Sequence, residues 1–371
     1  MKQILTCSLF LALSLGIKAQ SSVLLPTGGG NIPNSVTERI GITDIAIHWN
    51  APGVKGREGK IWGTTIAHYG FQNLGFGTAK ESPWRGGANE CTSISFSTDV
   101  MVEGKTIPAG KYGFFIALYP DSCTLIFSKN SSAWGSFFYE PKDDALRVTV
   151  RQQKDLPLSR EWLNYEFSGQ TDHSATVALI WERWRIPFQV SVDLKKVVVD
   201  NLRRELETDK GFVFENWVAA AQFCYDQNTN LEEALTWAEN SINGFFGVKT
   251  FTTYSLKAKI QEKLGKKADA AETMKLALNN GALFELHAYG RQLISDKKPT
   301  EALEVFLLNQ KKNGDAWPVH VGLMRGYSAA GDLKKALEHA KIALGQAPDD
   351  VNKSNLESSV KTLTDGKPIA Q

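Results

Sequence analysis

A chain of 371 residues with 42 basic and 40 acidic side chains is close to neutral, and the small basic excess comes from Lys2 and Lys18 at its start. The balance holds in each half of the chain, which argues against a nucleic-acid partner, since such binders carry a basic face. The length exceeds what one hydrophobic core ordinarily serves and predicts two domains.

Residues 1–20 place Lys2 before the apolar run Ile4 to Leu13 and close on Gly16 to Ala19, the layout of a secretory signal peptide with cleavage expected after Ala19. The run is shorter than the roughly 20 residues that span a bilayer. No later segment is long and apolar enough to cross. The expectation is an exported protein, periplasmic or secreted, with no membrane span. Cys7 lies inside the apolar run and not at the cleavage point, so it is not a lipid-attachment cysteine. Cys91, Cys123 and Cys224 remain, an odd number without metal-type spacing. Cys123 shares parity with Leu125 and Phe127, whereas Cys91 is out of step with Ile94 and Phe96. The two therefore point to different faces, and Cys123 reads as a buried, reduced thiol.

Residues 21–34 read as a flexible linker. Their Gly28-Gly29-Gly30 follows no strand and opens no helix, so it is not a phosphate loop. Over residues 35–193 the pattern has period two. Ile45, Ile47 and Trp49 alternate with Ala46, His48 and Asn50; Tyr112, Phe114, Ile116 and Leu118 share a face; Leu163, Tyr165 and Phe167 alternate with Asn164 and Glu166. Short strands broken by Gly, Pro, Asn or Asp predict an all-β antiparallel sandwich or barrel. Ala175 to Val192 is apolar on both faces and reads as two strands or one bent strand.

Near Lys195 the period changes, and residues 196–371 are predicted to be all helical. Ala234, Ala270, Ala302 and Ala336 recur at a spacing of roughly 34 residues, the tetratricopeptide period. Leu323, Tyr327, Gly331, Ala336, Ala340, Ala343 and Pro348 make the last repeat resemble that family closely. An earlier repeat has Lys297 where the turn glycine belongs. The resemblance implies stacked helix pairs with a groove that docks a protein or peptide.

Two glycine-rich loops are the candidate site: Asn50 to Gly63 and Gly75 to Glu90. Lys55, Arg57 and Arg85 are cations among glycines, where guanidinium groups and exposed amides suit a small polar or anionic ligand. Trp62 and Trp84 offer an apolar platform, and Asn89 and Glu90 add polar groups. The structural alternative pairs Arg85 with Glu90 and Arg57 with Glu58, packs both tryptophans in the core and closes a turn with Asn89. Gly53 to Lys60 fails as a phosphate loop because Val54 and Ile61 stand where glycine and a hydroxyl are needed. His48 and His68 read as solvated or hydrogen-bonded imidazoles in preference to metal ligands with Glu58 or Glu90. No metal, cofactor or nucleophile motif is present. Two functions follow: a non-catalytic binding and scaffold protein, or an envelope-directed hydrolase with Glu90 as general acid or base and Arg85 stabilising an anion.

Ala51-Pro52-Gly53-Val54-Lys55-Gly56-Arg57, Ile61-Trp62-Gly63, Trp84-Arg85-Gly86-Gly87-Ala88-Asn89-Glu90, Ile107 to Gly113, Trp134-Gly135 and Asp144 to Val148 occur in this order. They make the stretch from about residue 36 to 190 resemble the exported bacterial family catalogued as domain of unknown function 2911, with Gly-Ala-Asn as its hallmark. Phe71 to Pro83 resembles an insertion of a longer subgroup, and His48-Trp49 replaces a common acidic-tyrosine pair. The resemblance implies a domain and supplies no activity.

Overall fold

A computed structural model of the protein describes residues 30–369; the expected signal peptide and most of the expected linker lie outside them. Strands β1 (Ile32–Ile40), β2 (Thr43–Ala51), β3 (Ala88–Phe96), β4 (Val100–Val102), β5 (Lys105–Ile107), β6 (Gly110–Leu118), β7 (Cys123–Ser128), β8 (Asp144–Val150), β9 (Arg160–Ser168), β10 (Ser174–Glu182) and β11 (Trp184–Ser191) come first. They form two antiparallel sheets, β1-β2-β3-β6-β7-β8 and β5-β4-β11-β10-β9. Contacts divide the chain between Leu194 and Lys195.

The inner faces of the two sheets meet through side chains of a single parity. Phe114 lies 5.6 Å from Phe188, and Trp49 lies 5.1 Å from Tyr165 in an edge contact. Trp49 Nε1 donates to the Leu163 carbonyl at 3.1 Å, so the indole keeps a partner inside the core. Leu125, Phe127 and Cys123 are buried on the same strand parity of β7. Cys91 belongs to a separate cluster on the other face, with Phe115, Ala117, Ile126 and Tyr139, covered by Phe71 and Ala79 of the 71–83 stretch. All three described cysteines are free and buried, and burial pushes the Cys91 and Cys123 thiols up to about 12. The run read as one bent strand or two is two, β10 and β11, paired from Ser174 with Ser191 to Trp181 with Trp184.

One expectation is corrected at the entry. Residues 32–34 are not linker but the start of β1, with Ile32 opposite Ala51 and Asn34 opposite Trp49. These residues are exposed, so no alternation marks them; the strand exists through its ladder with β2. Pro33 is accommodated because β1 is a sheet edge.

The second unit holds α1 (Leu194–Leu206), α2 (Phe214–Gln227), α3 (Leu231–Asn243), α4 (Phe251–Lys263), α5 (Lys267–Asn280), α6 (Leu283–Ser295), α7 (Pro299–Asn313), α8 (Trp317–Ala329), α9 (Leu333–Gly345) and α10 (Asp350–Thr364). Helices α2 to α9 are tetratricopeptide-like hairpins taken in successive pairs. The repeating Ala234, Ala270, Ala302 and Ala336 are all buried on the second helix of each pair, where a small side chain lets the partner helix approach. Phe306, fully buried, seats its ring against Gly290 of α6 and Gly322 and Gly326 of α8. Among the described residues no helix is long and apolar enough to cross a membrane.

Two features of this fold are directly testable. The Tyr165 hydroxyl, buried, donates to the Gly86 carbonyl at 2.7 Å and ties the Trp84 to Glu90 stretch to β9. Tyr165→Phe leaves that carbonyl buried without a donor and should lower the unfolding free energy of the β unit by about 1–3 kcal/mol in urea titration. In the helical unit, Lys297 sits at φ 62 where the equivalent turns use Gly265 at φ 77 and Gly331 at φ 88. A left-handed non-glycine residue costs about 1–2 kcal/mol, part of which glycine returns through its freer unfolded state. Lys297→Gly should therefore stabilise the helical unit by about 0.5–1 kcal/mol, read from the urea midpoint of its helical circular dichroism.

Candidate functional site

The two glycine-rich loops converge. A cavity of about 290 Å³ is lined from the first by Pro52 and Arg57, from the second by Trp84, Arg85 and Asn89, and from the stretch between them by His68. The turn geometry that brings them there is local. Gly86 takes φ 60, and a Cβ on it would press on the Tyr165 hydroxyl; glycine alone satisfies both demands. Asn89 takes φ 56 where the β2–β3 register shifts, between the His48–Ser93 and Asn50–Ala88 pairs. Asparagine tolerates that region better than other side chains.

Arg85 is half-buried. Its Nη1 donates to the Asn89 carbonyl at 2.7 Å, and its guanidinium carbon lies 4.9 Å from the centre of the Phe137 ring. Gly135 packs flat on the group, and any Cβ there would collide with it, which gives the Trp134-Gly135 pair a physical reason. Among the described residues no carboxylate forms an ion pair with Arg85, so the expected partner Glu90 is a correction. Glu90 is exposed and accepts from Asn50 Nδ2 at 2.5 Å; it lines a separate surface depression with His48 and Lys111. Burial pushes the Arg85 pKa down from its ordinary value, with nearby Cys91 opposing.

Arg57 does not pair with Glu58 either. Its Nε donates to the Val54 carbonyl at 2.9 Å and its Nη2 to the Gly53 carbonyl at 2.6 Å. The side chain thus folds back on its own loop and leaves Nη1 toward other acceptors. Lys55 is outside the cavity: its amide donates to Glu161 Oε1 at 3.0 Å and its ammonium lies 5.8 Å from the Trp162 ring. Trp84 is 4% exposed, so only a sliver of it lines the cavity. Trp62 lies behind, stacked on Trp184 at 4.5 Å and donating to Glu182 Oε2 at 3.0 Å. Glu182, buried at the β10–β11 turn, also accepts from the Gly59 amide at 2.9 Å and so anchors the first loop.

His68 was expected to be solvated or hydrogen-bonded; it is 4% exposed, and its Nδ1 is buried without a hydrogen-bond partner. The 61–70 stretch turns inward through Ala67, fully buried, and the bridge of Tyr69 to Leu118. Burial lowers the His68 pKa, the Tyr69 backbone opposes, and the Arg85 charge lowers it further. Asn31 reaches the same place and donates to Asn89 Oδ1 at 2.9 Å. Neither residue carried a signal in the sequence, His68 because it stands alone in a loop and Asn31 because it falls in the expected linker. Among the described residues no three His, Cys, Asp or Glu side chains are placed to hold a metal ion.

The helical unit has a cavity of its own, about 650 Å³, between α6 and α8. Arg291 and Arg325 line it, and Arg325, half-buried with Nε unpartnered, has its pKa lowered first by burial and then by Arg291. At one end the Ile369 amide donates to Ser328 Oγ at 3.0 Å.

No curated protein matches the chain. Among solved structures, YrrB, described as a TPR protein with an unusual peptide-binding site, is 16% identical over 45% of this chain and 90% of its own, with a TM-score of 0.27. A tetratricopeptide repeat protein from Parabacteroides merdae is 15% identical over 45% of this chain and 66% of its own, with a TM-score of 0.29. The MamA RS-1 ArsTM double mutant is 16% identical over 43% of this chain and 97% of its own, with a TM-score of 0.26. Residues 32–190, which span the β unit's strands, match the family described as "Protein of unknown function (DUF2911)".

Proposed function

We propose that this is an exported, non-catalytic binding protein with two separate docking places: an anion-holding cavity in the β unit and a groove for a protein segment in the helical unit. The observation that carries the reading is Arg85, half-buried in a cavity that Arg57 also lines, with no acidic partner among the described residues. A buried cation ordinarily finds an acid, and a cavity that withholds one favours an anion arriving from outside.

The hydrolase reading depended on Glu90 working with Arg85. Glu90 and Arg85 line different depressions, which supports the binding reading over the hydrolase. For the helical unit, support comes from the Arg291 and Arg325 groove and from Ile369, whose amide bond to Ser328 illustrates how an extended backbone meets that surface.

Ligand binding to the folded state raises stability by about 2.7 kcal/mol at a hundredfold excess over Kd. Melting the full chain in sodium phosphate or sodium acetate, against sodium chloride at matched ionic strength, should raise the transition of the β unit. Arg85→Gln should abolish the rise. An equal rise in that variant would remove the reading. Export is tested by mass spectrometry of protein recovered outside the cytoplasm, with a mature chain beginning at Gln20 expected. Recovery of only the uncleaved chain from Met1 would contradict it.

A further inference from the structure

Resting on the anion-cavity reading, the shape and donor inventory of the same cavity narrow the ligand class. Arg85 gives one of its five N–H groups to the protein, through Nη1 to the Asn89 carbonyl. Its Nε and Nη2 hydrogens, the parallel pair that a planar carboxylate accepts side-on, have no protein acceptor among the described residues. Arg57 has committed that same edge to the Gly53 and Val54 carbonyls, so it adds positive charge and its Nη1 donors but no free side-on pair. The second polar feature is the His68 Nδ1, buried and unpartnered in the wall. An orphaned buried nitrogen is costly, of order 1–3 kcal/mol, unless a ligand atom completes it.

The remaining lining mixes the polar side chains of Asn31, Thr65, Asn89 and Ser136 with apolar surface from Ile66 and Leu74 and the thin exposed edge of Trp84. Inorganic phosphate would satisfy the cations and leave this apolar surface facing water. A cavity of about 290 Å³ stands at the small end of the range for organic ligands. We propose that the cavity binds a small organic carboxylate, its carboxyl group on the Nε and Nη2 edge of Arg85 beside His68 Nδ1, and its carbon skeleton against Ile66 and Leu74.

The test uses the full chain and three probes, sodium benzoate, the isosteric but uncharged benzamide, and inorganic phosphate, followed by calorimetry and by the fluorescence of the tryptophan cluster. Saturable benzoate binding is expected, with benzamide and phosphate at least about tenfold weaker, and with Arg85→Gln reducing benzoate affinity by at least about tenfold. The benzoate and benzamide comparison needs no variant, so it stands even where Arg85→Gln proves unstable. Equal binding of benzoate and benzamide, or benzoate affinity unchanged in Arg85→Gln, overturns the assignment. Phosphate binding lost in Arg85→Gln, with no benzoate binding, overturns the carboxylate while leaving an anion site. Binding of neither anion overturns both.

Discussion

The hydrogen bond from the Tyr165 hydroxyl to the Gly86 carbonyl helps fix the candidate site, because it ties the inner face of β9 to the turn that carries Arg85. It lies in the buried core, where burial raises the phenol pKa well above its ordinary value, the nearby Thr92 hydroxyl opposing, and the hydroxyl stays a donor. In such a setting the bond is worth most through the penalty of its loss. Gly86 in the left-handed region reverses the chain over that bond, and the next residues rise to the β3 ladder at Ala88. Arg85 is left on the cavity side, where Asn89, Phe137 and Gly135 hold its guanidinium. The turn residues of this stretch are therefore consequences of one anchoring contact.

Holding a guanidinium half-buried without an acid is expensive, and the surroundings recover part of the cost. A carbonyl acceptor and a ring face contribute together on the order of 1–3 kcal/mol. That falls short of what a paired carboxylate supplies to a desolvated cation. Because arginine cannot shed its proton in a protein, the shortfall persists as attraction for an anion. The same accounting gives Lys55 and Glu90 little role, since each is exposed and already has a neighbour in contact.

Much of the fold was legible in residue order, for physical reasons that also mark where legibility ends. Alternation exposed the inner faces of the sheets, since Ile45, Ile47 and Trp49 are buried and His48 is not. Parity placed Cys91 and Cys123 on opposite faces before any coordinate was known. Periodicity in alanine found the helix pairs because close packing demands small side chains at fixed steps. What failed was everything decided by pairing or by reach. Residues 32–34 are strand through their ladder partners alone. Arg57 and Arg85 sit near Glu58 and Glu90 in sequence, yet a left-handed residue or a tight turn aims them at carbonyls. His68 became a wall residue through the path of a loop that has no period.

Arginine placement across the chain bears on whether the two cavities are meaningful. Some arginines are paired even where solvent would serve: Arg39 with Asp44 at 2.6 Å, Arg203 with Glu233 at 2.6 Å, Arg147 with Asp144 at 2.5 Å. Several of these pairs are exposed and worth little, so they follow simply from having acids near at hand in a balanced sequence. Others form no ion pair among the described residues and differ in setting: Arg151, Arg160, Arg183 and Arg204 are exposed, whereas Arg57, Arg85 and Arg325 are half-buried and line concave surfaces. Water compensates the exposed group, so a missing acid costs little there. The half-buried arginines are compensated least, and an unpaired guanidinium held in a hollow is what a surface shaped to receive negative charge requires.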